Sequence, residues 1–486
     1  MVLPLAGVQS PSPALFMRTP PYAHQSATFE ESKDRPYYAF LHAPGLGKTW
    51  LALATAVHLF QQGKIQTLLY IAPNGVIGEI IDSQVPLHMV PGTCTAHRCS
   101  IPTLVKAQKQ VEAALNLQEK LTIIGINIEA MSHAKGVEFC ERVLRHAPAL
   151  MVVDESTTIG SPKSLRTKAV IALGKLAPYR RIMTGTIIGD SILEIPSQLA
   201  FLGPLSDLIN VRDWWAFRAR YCELMPLTFG QRTFIRVVGA RRMNELLEKL
   251  KPFSSILTKE EVFEMPLKIY QRYNVELDPP SRKAYKQMAA TLEVELAAGT
   301  YEVDSVLGKV SKLRQIVAGF IIDGSRRIPI SHARHKALLE LLSTLPGKIV
   351  LWAAFVYSID HIYEDLRRTY GTEAVVRYDG QVSFTEREVN YARFVNCPVC
   401  RFFVASQQVA GYGKNLQAAS IQVFFSNGFS GKDRMQAEDR SHRIGQEHSV
   451  LYIDIVATNT IDEKILAALK SKKDLLAQIM NKEVVL

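Results

Sequence analysis

Acidic residues are in deficit in this chain of 486 residues, cysteines number only six, and tryptophans only four. Nowhere do about eighteen apolar residues follow one another, which excludes an apolar membrane-spanning helix. The start, Met1 to Phe16, has neither a basic region nor a sustained apolar stretch, so no secretion signal is expected there. Six cysteines are too few for a disulfide scaffold of this length and imply reduced thiols in a cytosolic compartment. Cys397-Pro398-Val399-Cys400 is one half of a zinc site, and Cys94, His97 and Cys99 could supply other ligands, but a second such pair is missing. Structural thiols are therefore the expectation. The 46 acidic residues face 57 basic ones, for a net charge of +11 and a pI of about 9.2. That balance points to a polyanionic partner, nucleic acid before membrane, because no basic amphipathic segment dominates.

What is present describes a globular chain. A hydrophobic content of 47% and a mean hydropathy of +0.03 allow sizeable cores in about two to four domains. After a Pro- and Ser-rich lead-in over residues 1–14, five apolar runs alternate with helical stretches: Tyr38–Leu41, Thr67–Ala72, Leu121–Ile126, Ala149–Val153 and Arg181–Met183. Such alternation predicts an α/β lobe, a parallel sheet covered by helices, over residues 15–204. The rhythm fades over 205–330, where aromatics (Trp214, Trp215, Phe217, Tyr221) and helix-period stretches such as Leu246–Leu250 and Arg282–Leu296 predict a mainly helical insert. Strands return over 331–460 with Lys348–Phe355, Ala374–Tyr378, Arg401–Ser406, Ile421–Ser426 and Val450–Val456, a second α/β lobe. A closing helix is expected over residues 461–486, with its basic stretch at Lys470, Lys472 and Lys473.

The first lobe carries the sharpest motif. His42-Ala43-Pro44-Gly45-Leu46-Gly47-Lys48-Thr49 joins a strand to an apolar helix, and its two glycines let the backbone turn its N–H groups toward a phosphate. A strict phosphate loop has glycine where His42 stands. Lys48 is expected to reach the β/γ-phosphates, and the Thr49 hydroxyl to complete the shell of a magnesium ion. A nucleoside triphosphate is the implied ligand. Asp154 and Glu155 follow the run Leu150–Val153, so one carboxylate can hold magnesium and its neighbour can orient or deprotonate water. In the second lobe, Gln436 to Gln446 contains Arg440 and Arg443, three apart, which on a helix would project from one face toward the charge of a γ-phosphate. Taken alone, that block also reads as a surface helix paired through Glu438 and Asp439.

With these residues in view the chain resembles the superfamily-two helicases, and specifically the Swi/Snf-type double-stranded-DNA translocases. The similarity runs nearly end to end: Gln25; Gly45-Leu46-Gly47-Lys48-Thr49; Asp154-Glu155-Ser156; Met183-Thr184-Gly185-Thr186; Phe201-Leu202-Gly203-Pro204; Leu313-Arg314-Gln315-Ile316; Ala410–Leu416; the Gln436–Gln446 block; and Thr460-Ile461-Asp462-Glu463. The resemblance implies two RecA-like lobes, ATP and Mg2+ as cofactors, and Gln25 reading adenine. It also implies Gly413 beside the nucleotide, and Gln436, Arg440 and Arg443 completing the catalytic site. Phosphate contacts are implied at Pro73 and Asn74, at Asn127, at Thr184, Gly185 and Thr186, and at Ser406, Gly411, Lys414 and Asn415.

Four departures stand out. Thr157 occupies a usual histidine position, Ile187 a usual proline and Lys414 a usual leucine, while the arginine pair common in the insert is absent around Ser255–Lys259. The compact core resembles phage and bacterial members, which implies a cytoplasmic, nucleic-acid-associated monomeric motor on duplex or forked DNA, bound without sequence preference and targeted by itself or by a protein partner. An RNA- or single-strand-directed helicase, a restriction-type motor subunit and a nucleotide-gated scaffold are the alternatives.

Overall fold

The computed structural model describes residues 16–480 apart from 118, 186, 189–190, 230–231, 292, 297–298, 303–305, 325 and 411–413. The expected lead-in, Thr186, Gly411 and Gly413 lie outside the described residues. The chain divides between Phe263 and Glu264 into two compact units, with the residues after Asp474 grouped with the first.

The first unit is built on a seven-stranded parallel sheet. Its strands are β1 (Tyr37–His42), β2 (Thr67–Ala72), β3 (Cys94–Cys99), β4 (Leu121–Asn127), β5 (Ala149–Asp154), β6 (Tyr179–Met183) and β9 (Ser254–Leu257), in the order β3-β4-β2-β5-β6-β1-β9. All five expected runs are strands. They read as continuous apolar stretches because helices cover both faces of a parallel sheet. The helix α1 (Ala23–Ser32) precedes β1, and α2 (Lys48–Gln61) follows it. Leu51, Leu53, Val57 and Leu59 of α2 are buried in one core with Leu68, Tyr70, Leu150, Val152 and Met183 of the sheet.

Two edge strands escape the apolar-run criterion. In β3, Thr95, His97 and Arg98 interrupt the pattern, and β9 is only Ser254-Ser255-Ile256-Leu257. Edge strands are half solvated, so their sequences need not be apolar. The expected boundary at residue 204 moves accordingly, because β9 completes the first sheet alongside β1. Between β6 and β9 lies a hairpin of β7 (Cys222–Phe229) and β8 (Arg232–Ala240), preceded by the helix Trp214–Tyr221.

The second unit holds a six-stranded parallel sheet of β10 (Lys268–Val275), β15 (Ile349–Trp352), β16 (Val375–Tyr378), β17 (Phe402–Ala405), β18 (Ile421–Phe424) and β19 (Val450–Ala457), ordered β10-β19-β18-β15-β17-β16. Its five apolar strands lie within the expected runs to a residue or so, and β10 is again a polar edge strand drawn from the expected insert. Hairpins β11–β12 (Glu293–Leu296, Gly299–Glu302) and β13–β14 (Phe320–Asp323, Arg326–Pro329) flank the helix Val306–Val317. The helix expected through Leu296 stops at Thr291, because Glu293-Val294-Glu295-Leu296 alternates with a period of two and pairs as a strand. The closing helix spans Ile461–Met480, and Ile461, Ile465 and Leu469, four apart, are buried against Met288, Leu313 and Ile316.

Candidate nucleotide site and nucleic-acid surface

The phosphate loop leaves the carboxyl end of β1. Gly45 and Gly47 have φ of +93° and +72°, the left-handed region that glycine enters without strain. A Cβ on Gly47 would lie 1.9 Å from Nε2 of Gln25, so a side chain there would have to displace the Gln25 amide as well as hold a left-handed backbone. Gln25 is buried, its Oε1 accepts from the Tyr22 N–H at 2.8 Å and its Nε2 donates to the Gly47 carbonyl at 3.4 Å. Pro44 is held from the other side, where a Cβ on Gly185 would come within 2.9 Å of its ring. Gly185, expected at nucleic acid, thus packs on the phosphate loop, and Thr184 beside it is buried. His42, in place of the strict-pattern glycine, is buried with Nε2 2.9 Å from the Ser255 Oγ of β9. Burial, then the charge of Lys48, hold its imidazole down at about 3, so it stays neutral and adds no charge to the loop. Lys48 Nζ donates to the His42 carbonyl at 2.7 Å.

Sheet order brings the carboxylates to this loop. β6 lies between β1 and β5, so Asp154, the last residue of β5, sits two strands from the loop at the same sheet edge. Its Oδ2 accepts from the Tyr70 hydroxyl at 2.7 Å and its Oδ1 from the Glu155 N–H at 2.8 Å. The Thr49 side chain also acts on this phenol, so Tyr70 stands between the loop threonine and the aspartate. Burial first, and then the Glu155 carboxylate, push Asp154 up to about 6, against the opposing pull of Lys48 and Tyr70. Glu155 follows in a left-handed turn, φ +49°, unusual for a side chain of its size. Ser156 Oγ donates to Gln198 at 2.6 Å, and Gln198 donates onward to the Ile187 carbonyl at 2.7 Å, which ties the carboxylate turn to the segment after Thr184. Thr157 Oγ1 is buried and finds no hydrogen-bond partner among the described residues.

Pro73, Asn74 and Asn127 leave the same sheet edge at the ends of β2 and β4. Asn74 and Asn127 line a groove of about 650 Å³ with Arg98, Ser100, Thr103 and His133. Sequence reading missed Arg98 and His133 because β3, which carries the arginine, is a polar edge strand.

In the second unit, Gln436 lies on the helix Gly431–Glu438, but the helix ends there, and Arg440 and Arg443 occupy the turns that follow. The expected single helix face is therefore corrected to a braced turn. Arg440 Nε donates to the Gln436 carbonyl at 3.0 Å, and the Arg440 carbonyl accepts from Leu416 N–H at 2.8 Å. Arg443 Nε donates to the Asp439 carbonyl at 3.2 Å. Beneath the block, buried Arg434 is paired with Glu438 at 2.8 Å and Asp454 at 2.5 Å, while the Tyr270 hydroxyl donates to Glu438 at 2.7 Å. Lys414, expected to add charge to a phosphate track, lies 2.6 Å from the Glu388 carboxylate and over the Tyr391 ring. Ser406 N–H donates to Tyr378 at 3.4 Å, and Asn415 is exposed. Among the described residues no group of three or more His, Cys, Asp or Glu is arranged to hold a metal. Cys99 and Cys400 are buried thiols.

The family profile of the SNF2-related domain matches residues 39–319, and that of the helicase conserved C-terminal domain matches residues 333–445. The chain belongs to the SNF2-related family. It is thereby a superfamily-two protein of the Swi/Snf type. An uncharacterized ATP-dependent helicase of Mycoplasma pneumoniae is 28% identical over 346 residues, 69% of this chain and 31% of that protein. The DNA annealing helicase and endonuclease ZRANB3 of Mus musculus is 26% identical over 337 residues, 68% of this chain and 30% of that one. The SNF2-related chain thus spans about three tenths of the length of these curated relatives. The Sulfolobus solfataricus SWI2/SNF2 ATPase core in complex with dsDNA aligns with a TM-score of 0.43 and 21% identity, covering 98% of this chain and 96% of that one.

In this SNF2-related chain the sequence motifs account for the loop, the carboxylate pair and the arginine block. Tyr70, which reaches Asp154 from β2, and Gln198, which holds Ser156 from the helix Ile195–Leu202, stand outside those motifs and emerge only from the fold.

Proposed function

We propose that the chain is an ATP-dependent motor on double-stranded or forked DNA, and that it binds and hydrolyses the nucleotide at the carboxyl edge of the first sheet. The observation that carries this reading is the convergence of Lys48, Thr49, Tyr70 and Asp154 at one sheet edge, beside a loop whose two glycines both hold left-handed backbone. The donor set suits a magnesium nucleotide: two adjacent carboxylates, one pushed up by burial and by its neighbour, form a place that a divalent cation would relieve. Magnesium, when bound, would neutralise charge on the phosphates.

Thr49 and Asp154 are the residues to hold the ion, Lys48 the one to hold the β/γ-phosphates, and Glu155 the one to orient and deprotonate the attacking water. Gln25 keeps the loop in shape and Gly413 contributes from the second unit. Arg440 and Arg443 would neutralise the γ-phosphate when the units close in the working cycle, with Gln436 at their base. The groove of Asn74 and Asn127, together with Pro73, Thr186, Ser406, Gly411, Lys414 and Asn415, is the proposed backbone track. Contacts of that kind position a protein without reading sequence. Translocation, strand annealing or branch migration in replication, recombination or repair is the class of outcome this reading favours.

The test is displacement of a third strand from a DNA triplex by the purified chain with ATP. Displacement that disappears in Lys48→Ala supports the motor, whereas DNA binding with no ATP-dependent displacement would remove translocation from the account.

A further inference from the structure

One surface of the first unit is unused by the nucleotide site. Residues 212–242 contain seven arginines, no lysine and two acidic residues, close to half of the chain's net +11. The helix Trp214–Tyr221 opens this stretch, capped by Asp213, whose Oδ1 accepts from the Ala216 N–H at 2.9 Å. Its two neighbouring tryptophans differ. Trp214 is anchored, its indole N–H donating to the Leu193 carbonyl at 3.3 Å. Trp215 is 67% exposed, fixed edge-on to Trp214 with ring centroids 4.8 Å apart. The Arg218 guanidinium lies 5.9 Å from the Trp215 ring and donates to the Ile235 carbonyl of β8 at 2.8 Å, which ties the helix to the hairpin. The hairpin in turn exposes Leu224, Met225, Ile235 and Val238.

We infer that Trp215 and Arg218, with the adjoining β7–β8 hairpin, form a platform for unpaired bases and hold the single-stranded arm of a forked DNA. An exposed indole offers a flat apolar face on which any base stacks, and arginine adds both stacking and phosphate attraction. A closed duplex hides its base faces and would leave the tryptophan without a partner. Self-association is disfavoured by the like charge two copies would bring together. Trp215 is already held by Trp214 and Arg218, so little freedom is lost when a base stacks on it. The inference rests on the DNA-motor reading and names the part of the substrate that reading left open.

The experiment measures binding of the full chain, without nucleotide, to labelled forked DNA, oligo-dT and blunt duplex by fluorescence anisotropy, for the native sequence, Trp215→Ala and Trp215→Phe. Trp215→Ala is expected to weaken fork and oligo-dT binding by about ten-fold or more, to leave blunt-duplex binding within about two-fold, and to be largely rescued by phenylalanine. Oligo-dT should also quench tryptophan emission in the native chain and not in Trp215→Ala. Equal affinity of native and Trp215→Ala chains for all three ligands would overturn the proposal, as would an equal loss on all three, or a native dimer abolished by Trp215→Ala with DNA affinity unchanged. Because no nucleotide is present, the result is independent of turnover: a chain that prefers forks through Trp215 but hydrolyses no ATP keeps the platform and loses the motor.

Discussion

Gly47 and Gln25 leave no room between them: a Cβ on the glycine would fall 1.9 Å from the amide nitrogen of the glutamine. The contact fixes the phosphate loop against α1, and φ of +72° adds backbone strain to any substitution. Gly47→Ala should therefore weaken ATP binding by at least about ten-fold, an effect of the order of the ~1–3 kcal/mol such strain carries. Titration with a fluorescent ATP analogue checks it. Gln25→Ala, which opens space at the same contact, should soften the effect of Gly47→Ala when the two are combined.

Asp154 trades stability for function. Its carboxyl is pushed up to about 6 from the ordinary 3.8, so above that pH the folded chain holds a buried charge that the unfolded chain holds in water. The folded state binds the proton more tightly, so this group's contribution to stability falls as pH rises from about 4 to about 6. Asp154→Asn should raise the thermal midpoint at pH 8, by the equivalent of about 1–3 kcal/mol, and the gain should shrink toward pH 5. Turnover should be lost. Thermal melts across pH, without magnesium, test the first part, and an ATPase assay the second.

Lys414 is restrained by Glu388 at 2.6 Å. If the lysine belongs to the backbone track, Glu388→Gln should tighten DNA binding by a few fold and steepen its salt dependence by up to about 0.9 in log–log slope. Binding isotherms at several salt concentrations check both, and an unchanged slope would remove Lys414 from the track.

Arg434 neutralises Glu438 and Asp454 inside the second unit. Arg434→Met would leave two buried carboxylates without their cation, a loss of about 3–5 kcal/mol. Chemical denaturation should show it, and adding Asp454→Asn should recover part.

The long apolar strands were legible because each is buried on both faces. The edges were not: β3, β9 and β10 carry polar residues that only the sheet itself explains, and β9 and β10 both lie within the expected insert, residues 205–330. Chemistry followed the same division. Lys48, Thr49, Asp154 and Glu155 announce themselves by spacing, but Tyr70 is an ordinary residue until strand order sets β2 beside β5, and Gln198 until its helix packs on the turn after β5. For Arg440 and Arg443 a spacing of three suggested a helix, yet the chain turns at Glu438.

The measurement that tests the central claim most directly is ATP hydrolysis by the purified chain, alone and with matched duplex, forked and single-stranded DNA and duplex RNA, with Glu155→Gln as the blank. The account predicts strong stimulation by duplex and forked DNA that vanishes in the variant. Nucleotide binding with no turnover on any of these ligands, or stimulation by single strands or RNA alone, would contradict it.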